Sequence, residues 1–166
     1  DYFRNRIIFP ITNLQGKTIA FGGRVLDNSL PKYINSPETE VYKKSNNLYG
    51  LFQAKNEIRK NNRVIIMEGY TDVIIASQFG FENVVASLGT ALTEQQIYLI
   101  KRFADEVLIA FDADNAGRNA TLRSLSMLKK ADLKIKIISF PFNYDPADII
   151  LKKGKEFVFK YLKNSG

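Results

Sequence analysis

The chain has 166 residues, a formal net charge of +7, and neither cysteine nor histidine, a length that accommodates one domain or one domain and a fragment. Without thiols it forms no disulfide and no thiolate zinc site. Without imidazole it builds no Ser-His-Asp or Cys-His triad, so any catalysis must rest on carboxylates, Lys, Arg, Tyr or a metal.

No apolar run approaches the ~20 residues that span a bilayer. The opening DYFRNRIIFP has neither a signal-peptide layout nor an initiator Met, and reads as an excised piece of a longer protein. Residues 1–60 hold ten Lys and Arg against five Asp and Glu, whereas residues 61–166 hold fourteen against twelve. A basic half beside a balanced half suggests a polyanionic partner; excess lysine that only aids solubility is the plainer reading.

In chain order, IIFPI (7–11) and KTIAFGGRV (17–25) are expected strands joined by a turn at TNLQGK, with Gly16 at a left-handed position. Gly22-Gly23 within the second strand suggests a bulge or a close backbone approach. DNSLPKYINSPET reads as an ordered loop, and residues 48–60 as a helix. From residue 63 strands and helices alternate: RVIIME, YTDVIIASQF, NVVAS, TEQQIYLIKRFA, EVLIAFD, NAGRNATLRSLSMLKK and LKIKIISF. Thr93 and Gln96 form an expected capping box. The strands are apolar throughout, as in a parallel sheet covered on both faces. After DPADIILKKG, the tail KEFVFKYLK begins a further helix.

In such sheets ligands bind at the carboxyl ends of strands. Glu68 ends one strand, and Asp112 and Asp114 end another, with a spacing that keeps both aspartates on one side of an extended chain. Asp72 lies on the first turn of the next helix, and Asp145 and Asp148 follow the fourth strand. Six carboxylates so placed would repel one another unless protonated or held by a cation. Oxygen-only ligands favour Mg²⁺ or Mn²⁺ over zinc or copper. Asp72 and Asp148 could instead be helix caps.

EGYTDVI followed by DADNAGR resembles the Toprim module, the metal-binding fold shared by bacterial primases, topoisomerases and several nucleases. The upstream blocks FRNRIIFPI, IAFGGRVL, PKYINSPET, NLYGL and VASLGTALT narrow the resemblance to the catalytic core of bacterial DnaG-type primases, over essentially the whole chain. It implies an α/β fold: an α+β N-terminal basic subdomain (partial, residues 1–61), a Toprim-type parallel sheet flanked by helices (62–147), and the start of a C-terminal helical subdomain (148–166).

The resemblance also implies roles. Glu68, Asp112 and Asp114 would be the catalytic metal ligands, with Asp72 and Asp145 completing the acidic cluster. The family often has a second aspartate directly after the Pro of its DP pair; here that place is Ala147, and Asp148 is either a substitute or a cap. Arg24, Lys32 and Lys44 would hold template and nucleotide phosphates, with Arg4 and Arg6 on the same face and Tyr33 and Asn35 as further contacts.

The implied activity is template-directed synthesis of short RNA primers on single-stranded DNA, using Mg²⁺ (or Mn²⁺) and nucleoside triphosphates, with an RNA–DNA primer duplex as product. Zinc would belong only to a module missing from this chain, and the replicative helicase would dock through a missing C-terminal domain. The implied setting is the bacterial cytoplasm at the replication fork, as a monomer, with no membrane partner. Alternatives are a Toprim-family nuclease and a non-catalytic single-stranded DNA-binding fragment.

Overall fold

The computed structural model describes residues 2–88, 91–111, 115–138 and 146–164. The first two expected strands form an antiparallel pair, β1 (Arg6–Thr12) and β2 (Thr18–Val25). Gly16 turns the chain between them at φ 82°, a conformation open to glycine at no steric cost. The register shift falls between Ile11 and Thr12 rather than at Gly22-Gly23. The two glycines serve close approach instead: a Cβ on Gly22 would lie 2.3 Å from the Tyr70 ring, and one on Gly23 2.6 Å from Phe3.

A third strand, β3 (Tyr33–Asn35), pairs with Gly22–Arg24 of β2. The sequence reading placed it in a loop. It is three residues long, between Lys32 and Ser36, so it carries no period-2 pattern; pairing with a neighbour makes it a strand.

After a 3-10 turn at Lys44–Asn46 comes α1 (Leu51–Asn61), which starts later than expected. Tyr49 is extended and bridges Ala86, and Gly50 then turns the chain at φ 81° into the helix. The remaining elements are β4 (Arg63–Met67), α2 (Tyr70–Gln78), β5 (Val84–Ala86), α3 (Glu94–Lys101), β6 (Glu106–Ile109), α4 (Asn115–Lys130), β7 (Lys134–Ile137) and α5 (Pro146–Asn164). The Thr93–Gln96 capping box is present. The two stretches around Gly154 form one element broken at that residue (φ 78°).

The second sheet is parallel, in the order β5-β4-β6-β7. The chain leaves β4 for β5 on one side and returns to β6 on the other, so the carboxyl ends of β4 and β6 flank a topological switch point, where such sheets open a crevice. Alternation along β4 divides the core. Val64 and Ile66 pack with α1 and α3 on one face, joined by Val107, Ile109 and Leu128; Ile65 and Met67 pack with α2 and α5 on the other, joined by Leu108, Ile149 and Ile150. The central strands are apolar as expected. β7 is not: its KIKI alternates and is only partly buried at one edge of the sheet. At the amino end of the sheet Glu106 pairs with Arg63 and, at 3.6 Å, with Lys136, tying β4, β6 and β7 together.

A third cluster joins the two sheets: Phe9, Ile11, Ala20, Tyr42, Tyr70 and Leu88. It brings the basic strands β2 and β3 over the carboxyl end of β4.

Candidate functional site

The residue after β4 is Glu68, and the next helix begins at Tyr70. Gly69 is the N-cap of α2, and Asp72 Oδ2 accepts a hydrogen bond from its backbone N–H at 2.9 Å. Asp72 is therefore a cap, and its charge sits favourably at the positive end of the helix. It also lines a cleft of about 460 Å³ with Glu68 and with Asp148 from the first turn of α5. Asp148 is the third residue of that helix, and its Oδ2 lies 3.4 Å from Lys152 Nζ. Ala147, at the place where the resemblance expects an acid, also lines the cleft.

The opposite wall is basic. Arg24 of β2, with Lys32, Tyr33 and Asn35 on and before β3, faces the same cleft. The Arg24 guanidinium lies 5.7 Å from the centroid of the Tyr33 ring and Lys32 Nζ 6.0 Å from it, distances at which a π-face attracts a cation. Seven of the sequence-predicted residues thus come together: Glu68, Asp72, Asp148, Arg24, Lys32, Tyr33 and Asn35.

Arg4, Arg6 and Lys44 are not among the residues lining the cleft. Arg4 is exposed. Arg6 donates to the carbonyls of Gly23 (3.4 Å), Pro31 (2.9 Å) and Lys32 (3.4 Å), and so holds the loop that carries Lys32. Lys44 lies in the 3-10 turn, whose backbone is anchored to α3: Gln96 Nε2 donates to the carbonyls of Lys44 and Asn47, and Thr93 Oγ1 to that of Ser45. The capping box is therefore also a clamp on the Lys44 loop, a role its sequence signature did not reveal.

Asp112, Asp114 and Asp145 lie outside the described residues. Among the described residues no three His, Cys, Asp or Glu side chains are grouped closely enough to share a metal ion. The acids that do face the cleft are carboxylates only, a donor set that suits hard divalent ions such as Mg²⁺ or Mn²⁺.

Burial lowers the pKa of the Lys44 ammonium. The folded state then holds this proton less tightly than the unfolded one, so Lys44 costs stability at neutral pH. That cost fades as pH rises from the depressed folded value toward the unfolded one. Lys44→Met is expected to raise the thermal midpoint by a few degrees. Thermal melts check this; a lowered midpoint contradicts it.

Sequence reading missed the centre of the site. Tyr70 is 3% exposed, stacks on Phe9 (centroids 4.9 Å, interplanar 4°) and meets Tyr49 edge-on at 4.7 Å. Its hydroxyl donates to Asn35 Oδ1. Burial raises its pKa, with Tyr42 and Tyr49 adding to the shift, so the phenol stays a protonated donor. The available signal was an aromatic between Glu68 and Asp72, but a helix-forming pattern absorbed it.

Residues 1–55 match the family described as the DNA primase catalytic core, N-terminal domain, and residues 65–150 match the Toprim-like family. The chain is 53% identical to the DNA primase of Clostridium acetobutylicum over 166 residues, covering 99% of this chain and 28% of that protein. It is 45% identical to the DNA primase of Rickettsia prowazekii, covering 98% and 28% respectively. It spans little more than a quarter of the length of these curated relatives. Among solved structures it resembles the zinc-binding and RNA polymerase domains of the Aquifex aeolicus primase, with a TM-score of 0.95 at 40% identity, covering all of this chain and 41% of that one. A DnaG primase catalytic domain bound to single-stranded DNA superposes with a TM-score of 0.91 at 38% identity, covering 99% of this chain and 53% of that one.

Proposed function

Since the chain belongs to the Toprim-containing catalytic core of the DnaG-type DNA primases, we propose that it carries out template-directed synthesis of RNA primers on single-stranded DNA. The observation that carries this reading is the cleft itself, which sets carboxylates from the residue after β4, from α2 and from α5 against cations from β2 and the loop before β3. Such a cleft suits a polyanionic substrate whose charge is shared between cations of the protein and bound metal.

Glu68, together with Asp112 and Asp114, would hold Mg²⁺ or Mn²⁺, which when bound would lower the pKa of a primer 3′-hydroxyl and neutralise charge on the phosphates. Asp72 and Asp145 complete the acidic cluster in this proposal, and Asp148 stands near the place left by Ala147. Arg24 and Lys32 bind triphosphate or template oxygens through charge-assisted hydrogen bonds. Tyr33 offers a ring for a base, and Asn35 an amide. Arg6 acts by holding the Lys32 loop, while Arg4 and Lys44 extend the basic surface beyond the cleft. The primer 3′-oxygen bonds to the α-phosphorus of the incoming nucleoside triphosphate as the bond to pyrophosphate breaks.

The partners proposed are single-stranded DNA template, nucleoside triphosphates and the RNA–DNA duplex being made, with the helicase engaged elsewhere in a longer protein. The proposed setting is the bacterial cytoplasm at the replication fork, as a monomer. Among the described residues no helix is long and apolar enough to cross a membrane.

Labelled-nucleotide incorporation on a single-stranded template, with Mg²⁺, with Mn²⁺ and with chelator, tests the proposal. Metal-dependent incorporation is the expected result. Metal-dependent loss of the template instead of incorporation would replace the reading with a nuclease.

A further inference from the structure

We infer that Tyr70 is a positioning residue that registers the basic wall of the cleft against its acidic wall, and that it acts through Asn35, whose amide it aims at a phosphate oxygen of the bound ligand. The inference rests on the proposed reading of the cleft as a nucleotidyl-transfer site.

Tyr70 belongs to the acidic side by sequence, two residues from Glu68 and two from Asp72. It belongs to the basic side by contact. Across the antiparallel sheet, Phe9 of β1 opposes Gly22 of β2, and Gly22 opposes Asn35 of β3. The Tyr70 ring covers that whole row. It stacks on Phe9, excludes any side chain at Gly22, and ends with its hydroxyl on Asn35 Oδ1. Two residues further along β2 lies Arg24, opposite Tyr33. The side-chain period of a strand is two, so Arg24 and Tyr33 share the face that Tyr70 covers. Seating the ring on the Phe9–Gly22–Asn35 row therefore fixes how far the Arg24–Tyr33 row stands from Glu68. A slip of one residue would turn Arg24 to the opposite face.

The hydroxyl adds a second, separable effect. An asparagine amide offers one acceptor and one donor group. With Oδ1 engaged by the phenol, the NH₂ is the group Asn35 can offer the cleft it lines. Beside Arg24 and Lys32, a neutral donor fits a phosphate oxygen, from either a triphosphate or a template backbone.

Tyr70→Phe separates positioning from packing, because it keeps the ring and removes only the phenol–Asn35 bond. Binding of a fluorescent nucleoside triphosphate and of a labelled oligodeoxynucleotide would be titrated separately, alongside Mn²⁺ binding and thermal melting. The expected result is roughly three- to tenfold weaker binding of one of the two phosphate ligands, with Mn²⁺ affinity unchanged and the midpoint lowered by only a few degrees. The ligand that weakens identifies which phosphate Asn35 meets. In an Asn35→Ala background the same substitution should have no further effect, since the phenol then has no amide to orient.

Unchanged affinity for both ligands overturns the inference, as does a further loss in the Asn35→Ala background. A parallel fall of Mn²⁺ binding, ligand binding and midpoint would reduce Tyr70 to a packing residue. Failure of the wild-type protein to bind either ligand also overturns it. Binding without incorporation would instead count against the primase reading and leave the Tyr70→Phe comparison readable.

Discussion

Glu68→Gln is expected to cut metal-dependent nucleotide incorporation at least about a hundredfold, the scale seen when one preorganised charge-stabilising group is removed from an active site. The substitution keeps the shape of the side chain and removes its charge. Glu68 is only half-buried at the end of β4, so the neutral amide costs the fold little, and the thermal midpoint should move by no more than a few degrees. The half-saturating Mg²⁺ concentration should rise, because one oxygen ligand loses its charge. Asp112→Ala should behave in the same way, by its place after the β6 strand in the DADNAGR block. Incorporation assays across a Mg²⁺ series, with melting curves on the same samples, decide the matter. Activity within about threefold of wild type in either variant would remove that residue from the proposed metal set.

The second large effect is on stability. Ile66 is fully buried in the central strand β4 and packs in the cluster formed with α1, α3 and α4. Ile66→Ala is expected to destabilise the fold by about 2–5 kcal/mol, a large share of the ~5–15 kcal/mol that holds a typical domain together. Urea unfolding should show the midpoint falling with the slope preserved. A loss below about 1 kcal/mol would mean that the surrounding side chains collapse into the vacated space. The contrast with Glu68→Gln is instructive, since the two residues are neighbours but one. The strand is stabilised by the residues that point into its two cores, and the proposed chemistry falls on the residue where it leaves them.

Much of the site could be read before the fold was known. Glu68, Asp72 and Asp148 face one cleft with Arg24 and Lys32, and each sits at a strand end, a first helical turn or a turn-rich loop, positions that local patterns mark. The two readings offered for Asp72 proved compatible, since a carboxylate can cap Gly69 and still line the cleft. Arg6 shows the limit of such reasoning. Its charge suggested a nucleic-acid face, yet its guanidinium is engaged by three backbone carbonyls, partners that carry no sequence signature. β3 was missed for a related reason. Its three residues become a strand only by pairing with Gly22–Arg24.

What the sequence determined by itself was the type and order of nearly every element, the parallel sheet, and the acid-bearing strand ends, because hydrophobic period, caps and strand–helix alternation are written in consecutive residues. What only the tertiary structure decided was the join between the two sheets: Tyr70 seated on Phe9, Gly22 and Asn35. Those contacts connect residues far apart in the chain, and an aromatic beside a glycine has no local pattern that announces the partner it will meet. In the inference drawn from these contacts, the separation of the acidic and basic walls is set by that packing rather than by the charges themselves.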